Sequence, residues 1–216
     1  MTVLFPKWTN HIPTLAAIGG VMGFGLAVVV VTFWFSPRHT DVGYAPTQPI
    51  PYSHKLHAGL LGFDCRYCHQ NVEDGPHASV PSTATCMNCH KQVKADSPRI
   101  KPLVSSLATG NPVEWIKVHM LPDYAYFDHS VHVNIRGEAA IGCKSCHGRV
   151  DQMEVVRQEE PLSMSWCLEC HNAPEKHLRP RSELTNMSYV HDDHVGEQLK
   201  KDLNVNPPIH CSACHR

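Results

Sequence analysis

Ten cysteines and five histidines of this 216-residue chain fall into one pattern, Cys-x-x-Cys-His, written five times. The copies are Cys65-Arg-Tyr-Cys68-His69, Cys86-Met-Asn-Cys89-His90, Cys143-Lys-Ser-Cys146-His147, Cys167-Leu-Glu-Cys170-His171 and Cys211-Ser-Ala-Cys214-His215. Together they use every cysteine, leaving none for a disulfide or a catalytic thiol. Cys-x-x-Cys-His is the attachment signature of c-type haem. Two thiols three residues apart add across the two vinyl groups at one edge of a porphyrin. The histidine that follows at once is held beneath the ring, where its imidazole ligates the iron. One copy could equally be half a zinc site or a redox dithiol. Neither of those chemistries explains a histidine after the second cysteine in all five copies. Five covalently bound haem c groups are therefore expected, with His69, His90, His147, His171 and His215 as proximal ligands.

Twelve histidines remain. His11, His39, His77, His177 and His210 stand alone and are read as surface or hydrogen-bonding residues. Six others repeat an aromatic-x-His-x-x-His pattern: Tyr52-Ser-His54-Lys-Leu-His57, Phe127-Asp-His129-Ser-Val-His132 and Tyr189-Val-His191-Asp-Asp-His194. Three residues apart, two imidazoles share one face of a helical turn. One iron cannot use both, so such a pair is suited to ligating two neighbouring haems. His54, His57, His129 and His132 are the expected distal ligands. The fifth distal place lies between His119 and the pair His191/His194. Met120, Met153, Met164 and Met187 are rival donors, and a Met/His iron would have a raised potential. Because histidine supply exceeds demand, packing against porphyrin faces is the expected role of these thioethers.

The elements that must carry these groups follow from length. Five haems on about 180 residues leave roughly 36 residues each, too few to wrap every cofactor in its own core. The expected fold is a multihaem cytochrome c, a haem-cored domain of short helices and irregular chain with little sheet. The 17 Pro and 13 Gly agree, since both interrupt periodic elements. The histidine pairs also mark an internal repeat. A first dihaem unit spans 52–92 and a second 113–172, joined by a linker at 93–112. A C-terminal single-haem unit spans 173–216.

Ahead of them, Thr14 to Phe35 carries no charged residue. Those 22 residues span about 33 Å as a helix, enough to cross the hydrocarbon core of a bilayer. A cleaved signal would have a shorter apolar run and a small-residue cleavage site. This run ends in Phe33-Trp34-Phe35, an interfacial aromatic belt, so it reads as an uncleaved anchor. Residues 1–13 are read as a short cytoplasmic N-terminus and 36–51, with four prolines, as an extended stalk. Haem is attached outside the bacterial cytoplasmic membrane, which puts the haem domain in the periplasm. The net charge of −1 supplies no electrostatic footprint for nucleic acid.

One anchor helix followed by five such motifs resembles the pentahaem cytochrome c subunit of bacterial alternative complex III. The likeness is carried by Tyr52-Ser-His54-Lys-Leu-His57, the motifs from Cys65 and Cys86, and Trp115-Ile-Lys-Val-His119. It continues through Phe127-Asp-His129-Ser-Val-His132 to the motifs from Cys143 and Cys167. The resemblance implies an electron relay within a quinol-oxidising complex, with no catalytic residue of its own. Its implied partners are polytopic quinol-oxidising membrane subunits, a large iron–sulfur subunit, and a monohaem cytochrome c or terminal oxidase as acceptor. It supports His54, His57, His129 and His132 as ligands and favours His119 for the fifth place. Two other functions use similar parts. A membrane-anchored quinol dehydrogenase of the tetrahaem type would reduce its own haems from quinol. A multihaem reductase enzyme would keep one iron open to substrate.

Overall fold

A computed structural model describes residues 5–215, so the first four residues of the expected cytoplasmic segment lie outside it. The chain divides into two compact units, Met1–Val42 and Gly43–Arg216.

In the first unit a 3-10 turn, Lys7–His11, leads into α1, Ile12–Trp34. Pro13 stands in the first turn, where a missing N–H costs nothing. Within Lys7–Trp34 the most apolar 18-residue stretch has a mean hydropathy of 2.3, and none of it is buried within the protein. A helix apolar on every side in this way is suited to lipid. Thr32 folds its hydroxyl back onto the Val28 carbonyl at 2.7 Å, so no polar group on α1 is left bare there. Part of the stretch read as an extended stalk is helical instead. Ser36-Pro37 starts a single turn, α2 (Pro37–Thr40), with proline again in the first position.

The second unit is built from short helices and one small sheet, as the density of haem motifs requires. His54 opens a π-helical segment, Lys55–Leu60. Then come α3 (Cys65–Cys68), α4 (Thr83–His90), α5 (Lys101–Thr109), α6 (Ser130–Val133) and β1 (Ala139–Ile141). They are followed by α7 (Lys144–His147), α8 (Met164–Asn172), β2 (Leu178–Pro180), α9 (Asp193–Asp202) and α10 (Cys211–Cys214). The strands pair antiparallel, Ala139 with Pro180 and Ile141 with Leu178. The segments read as two dihaem units, a linker and a C-terminal unit all fall within this one compact unit.

The stretch read as a linker contributes structure. Pro102 occupies the first turn of α5 and Gly110 its C-cap, at φ +75°, the left-handed conformation glycine accepts most readily. Leu103 of α5 packs with Ile50, Met87 and Ile100 in one apolar cluster, against Cys86, Val113 and Trp115. A second cluster joins Val133, Ala140 and Leu184, with Val72 and Cys143 against it. The far half of the proline-rich stretch is also tied down. Gln48 exchanges two hydrogen bonds with the Ile116 backbone, and Gly43 and Tyr44 bond the Gln158 backbone. Gly59 lies where any side chain would strike the Asp151 carbonyl, which lets the histidine-bearing π-helical segment press against residues 150–152.

Among the described residues only eleven hydrophobic side chains are buried. A chain of this length normally buries far more of its apolar surface. The polypeptide alone thus supplies little apolar core.

Candidate functional site

Each attachment motif sits on a helical turn. Residues i and i+3 of such a turn face the same way, which sets both thiols of a motif on one side. In α3 the turn is started by Asp64, whose carboxylate accepts the Arg66 N–H at 2.9 Å and the Arg66 guanidinium at 2.9 Å. In α8 the hydroxyl of Ser163 accepts the Trp166 N–H. These caps satisfy backbone donors that a short helix would otherwise leave bare.

The histidines share a hydrogen-bonding habit. Nδ1 of His69 lies 2.6 Å from the Ser79 carbonyl, that of His90 2.9 Å from Val93 O, that of His171 2.7 Å from Pro208 O, and that of His215 3.1 Å from Tyr124 O. Among the expected distal ligands, His57 bonds Ser53 O at 2.9 Å, His129 bonds Pro76 O at 2.7 Å, and His132 bonds Asp128 O at 2.7 Å. A carbonyl oxygen only accepts, so Nδ1 carries the proton in all seven rings and Nε2 is the bare donor nitrogen. That is the tautomer a metal-ligating histidine needs, held by its second nitrogen. His54 departs from the pattern, with Nδ1 buried and unpartnered among the described residues.

The spacing of the rings fits a haem iron. Two imidazoles on opposite sides of one metal, each bound at about 2.0 Å through nitrogen, have ring centroids roughly 6.3 Å apart. His57 and His90 are 6.3 Å apart, His129 and His147 6.4 Å, and His132 and His171 6.2 Å. Each pair joins one histidine of an aromatic-x-His-x-x-His segment to one motif histidine. His54 lies beside His69, and burial followed by the charges of His69 and His57 lowers its pKa to about 4. In the first two such segments the aromatic residue braces the histidine pair. Tyr52 stacks on His57 at 4.5 Å and meets His54 edge-on at 4.8 Å, and Phe127 packs tilted on His132 at 4.5 Å and edge-on to His129 at 4.8 Å.

His119 is placed differently. Its Nε2 lies 3.2 Å from Nδ1 of His147, with ring centroids 4.4 Å apart and edge-on, too close for an iron between them. His191 packs against Gly196 and neighbours His177, while His194 is exposed at the start of α9. Among the described residues neither ring meets a motif histidine. Of the methionines, Met153 is buried, while Met120 and Met164 are exposed. Motif five is met by the chain around Tyr124: Ala125 bridges to His215, and the Tyr126 N–H donates to Cys214 O.

The thiols do not resemble those of a redox dithiol, which are acidic. Burial first, then the nearby Cys170 and Cys167, pushes Cys146 up to about 12. Burial and Cys167 push Cys170 up to about 11, and Cys68, Cys86, Cys143 and Cys167 are also raised. Cys65 alone is lowered, by a hydrogen bond with Cys143. Among the described residues no three His, Cys, Asp or Glu side chains converge as a bare zinc ion would require. The bis-imidazole spacing, the Nδ1-anchored tautomers and the paired thiols fit haem c.

Comparison with known proteins agrees with this chemistry. Residues 50–108 match the family described as cytochrome c7 and related cytochrome c. The chain is similar to the menaquinone reductase, multiheme cytochrome c subunit, of Nitratidesulfovibrio vulgaris, at 35% identity over 135 residues. That alignment covers 61% of this chain, and the chain spans 60% of the length of the relative. The fold is that of a multihaem cytochrome c domain behind one N-terminal apolar helix.

Proposed function

We propose that this protein is the membrane-anchored pentahaem electron-transfer subunit of a quinol-oxidising respiratory complex, of the alternative complex III kind. In this reading α1 anchors the chain in the bacterial cytoplasmic membrane and the haem domain lies in the periplasm. Electrons come from quinol-oxidising polytopic subunits through an iron–sulfur subunit. They leave to a monohaem cytochrome c or a terminal oxidase. The observation that carries it is the set of histidine pairs at 6.2–6.4 Å, because they close both faces of each iron they hold.

Haem iron supplies a reversible one-electron change. The ten cysteines fix five haems, and the five motif histidines are their proximal ligands. His54, His57, His129 and His132 are the distal ligands for the haems of His69, His90, His147 and His171. The backbone carbonyls on Nδ1 of His57, His69, His90, His129, His132, His171 and His215 keep those rings protonated at that nitrogen, which would raise their basicity as ligands. His119 acts on His147 in the same way, as a hydrogen-bond acceptor, and leaves the fifth distal place to another donor. An iron held between two such imidazoles would exclude substrate, and the domain would then conduct electrons without bond chemistry.

The name of the relative, a menaquinone reductase subunit, supports a quinone-linked complex. The test is purification from detergent-solubilised membranes. The proposal expects iron–sulfur and polytopic subunits to accompany the chain, and expects the isolated chain to stay oxidised when quinol is added. Recovery of the chain alone, with its haems reduced directly by quinol, would identify a stand-alone quinol dehydrogenase instead.

A further inference from the structure

The five attachment motifs touch one another in a definite sequence that differs from their order along the chain. Motif two (Cys86–His90) meets motif one (Cys65–His69) through their own variable residues, Asn88 Nδ2 donating to the Tyr67 hydroxyl at 3.2 Å. An aromatic series, Tyr67–Phe63–His57–His90, runs across the same junction. Motif one meets motif three (Cys143–His147) directly, the Cys65 side chain lying against that of Cys143. The chain just ahead of α9 fastens that junction. Thr185 donates to Asp64 at 3.0 Å while the Leu184 carbonyl accepts from Cys143 N–H. Val72, three residues past motif one, packs in the same apolar cluster as Cys143.

Motif three is joined to motif four (Cys167–His171) by the turn α6, whose His129 faces His147 and whose His132 faces His171. Motif four is joined to motif five (Cys211–His215) because Nδ1 of His171 bonds the carbonyl of Pro208, three residues before Cys211. Among the described residues no side-chain bond links motif two to motifs three, four or five. Of the ten cysteines, just Cys89 and Cys211 are exposed. They belong to the two motifs at the ends of this sequence.

We infer that the haems form a single unbranched file in the order of motifs two, one, three, four, five, and that electrons enter and leave the protein at motifs two and five. This deepens the electron-relay reading and rests on it. The His-x-x-His turns each span one junction of the file: His54 and His57 lock sites one and two, and His129 and His132 lock sites three and four. The junctions between sites one and three and between sites four and five are made by other protein contacts. The redox partners on either side therefore dock over motif two and over motif five. No residue of motif three is exposed, and its proximal imidazole has His119 and His129 against it, which puts this site beyond their reach.

The experiment tags one site at a time in the full holoprotein by exchanging its distal histidine for methionine: His57→Met for site two, His54→Met for site one, His129→Met for site three and His132→Met for site four. Methionine raises the potential of the tagged haem. That haem can then be reduced first, losing its paramagnetism, while low-temperature electron paramagnetic resonance follows the other four. The inference predicts that reducing the site-two tag changes the relaxation of one other haem signal. Reducing the tag at site one, three or four changes two. A site-two tag that perturbs two or more signals, or a site-three tag that perturbs one, overturns the order. Should a variant lose a haem, the same count is made on the wild-type protein during stepwise reduction. There, two haems must have one partner and three must have two, and any haem with three partners overturns the file. An open, high-spin iron in the wild-type spectrum would instead defeat the relay reading itself, so the two failures are distinguishable.

Discussion

His119 Nε2 and His147 Nδ1 lie 3.2 Å apart, making His147 the one motif histidine whose outer nitrogen meets another imidazole instead of a backbone carbonyl. When His147 is bound through Nε2, its Nδ1–H donates to His119. That bond raises the basicity of the ligand and stabilises ferric iron.

Replacing His119 by alanine should therefore leave five low-spin haems and raise one midpoint potential. A hydrogen bond of about 1 kcal/mol corresponds to roughly 40 mV for one electron. A spectroelectrochemical titration reads this shift. A new high-spin signal in the variant would show that His119 ligates an iron itself.

His129 and His132 are assigned to different irons, although they share one turn. His129→Ala and His132→Ala should each open a single haem to carbon monoxide, and the double variant should open two. Carbon monoxide difference spectra of the ferrous protein count the open sites. One open haem in the double variant would mean that both rings serve the same iron.

Asp64 caps α3 and ties motif one to Thr185. The hydrogen bond from the Arg66 side chain, opposed by burial and helped by the Arg66 N–H and the Thr185 hydroxyl, holds its carboxyl at about 2 instead of 3.8. A depressed carboxylate stabilises the fold fully above its unfolded value and loses that contribution as pH falls toward the folded one. Asp64→Asn should lower the melting temperature of the holoprotein at neutral pH, and the gap should close between about pH 4 and pH 2. The carboxyl is partly exposed, so screening keeps the effect to roughly 1 kcal/mol or less. A gap that persists at pH 2 would assign the effect to something other than the charge.

The chain produced without haem attachment should lose the tertiary structure of residues 43–216. Its buried hydrophobic side chains are few, with Leu178 and Leu184 the largest of those wholly buried. In such a case cofactor binding and folding are one equilibrium. Proteolysis in detergent checks this: α1 should survive while the remainder is cut. A protease-resistant haem-free domain would contradict it.

The fold class was legible in the sequence because closely spaced attachment motifs leave room only for short helices and irregular chain. The apolar run from Thr14 to Phe35 and the scarcity of sheet followed from composition and length. Two local features resisted. Pro102 and Gly110 read as breakers, yet they stand at the start and end of α5, where those residues favour a helix. Pro37 likewise opens α2. The contact of His119 with His147 was hidden because a hydrogen bond to a residue 28 positions away leaves no periodic trace. The order of the motifs was hidden for the same reason, since it depends on contacts such as Thr185 with Asp64, 121 residues apart.

The central claim is that this chain holds five haems whose irons are closed on both sides. The most direct measurement is a pyridine haemochrome assay on purified protein, paired with electron paramagnetic resonance of the oxidised form. The account predicts five haems per polypeptide and low-spin signals alone. Fewer than five haems, or a high-spin iron in the native protein, would contradict it.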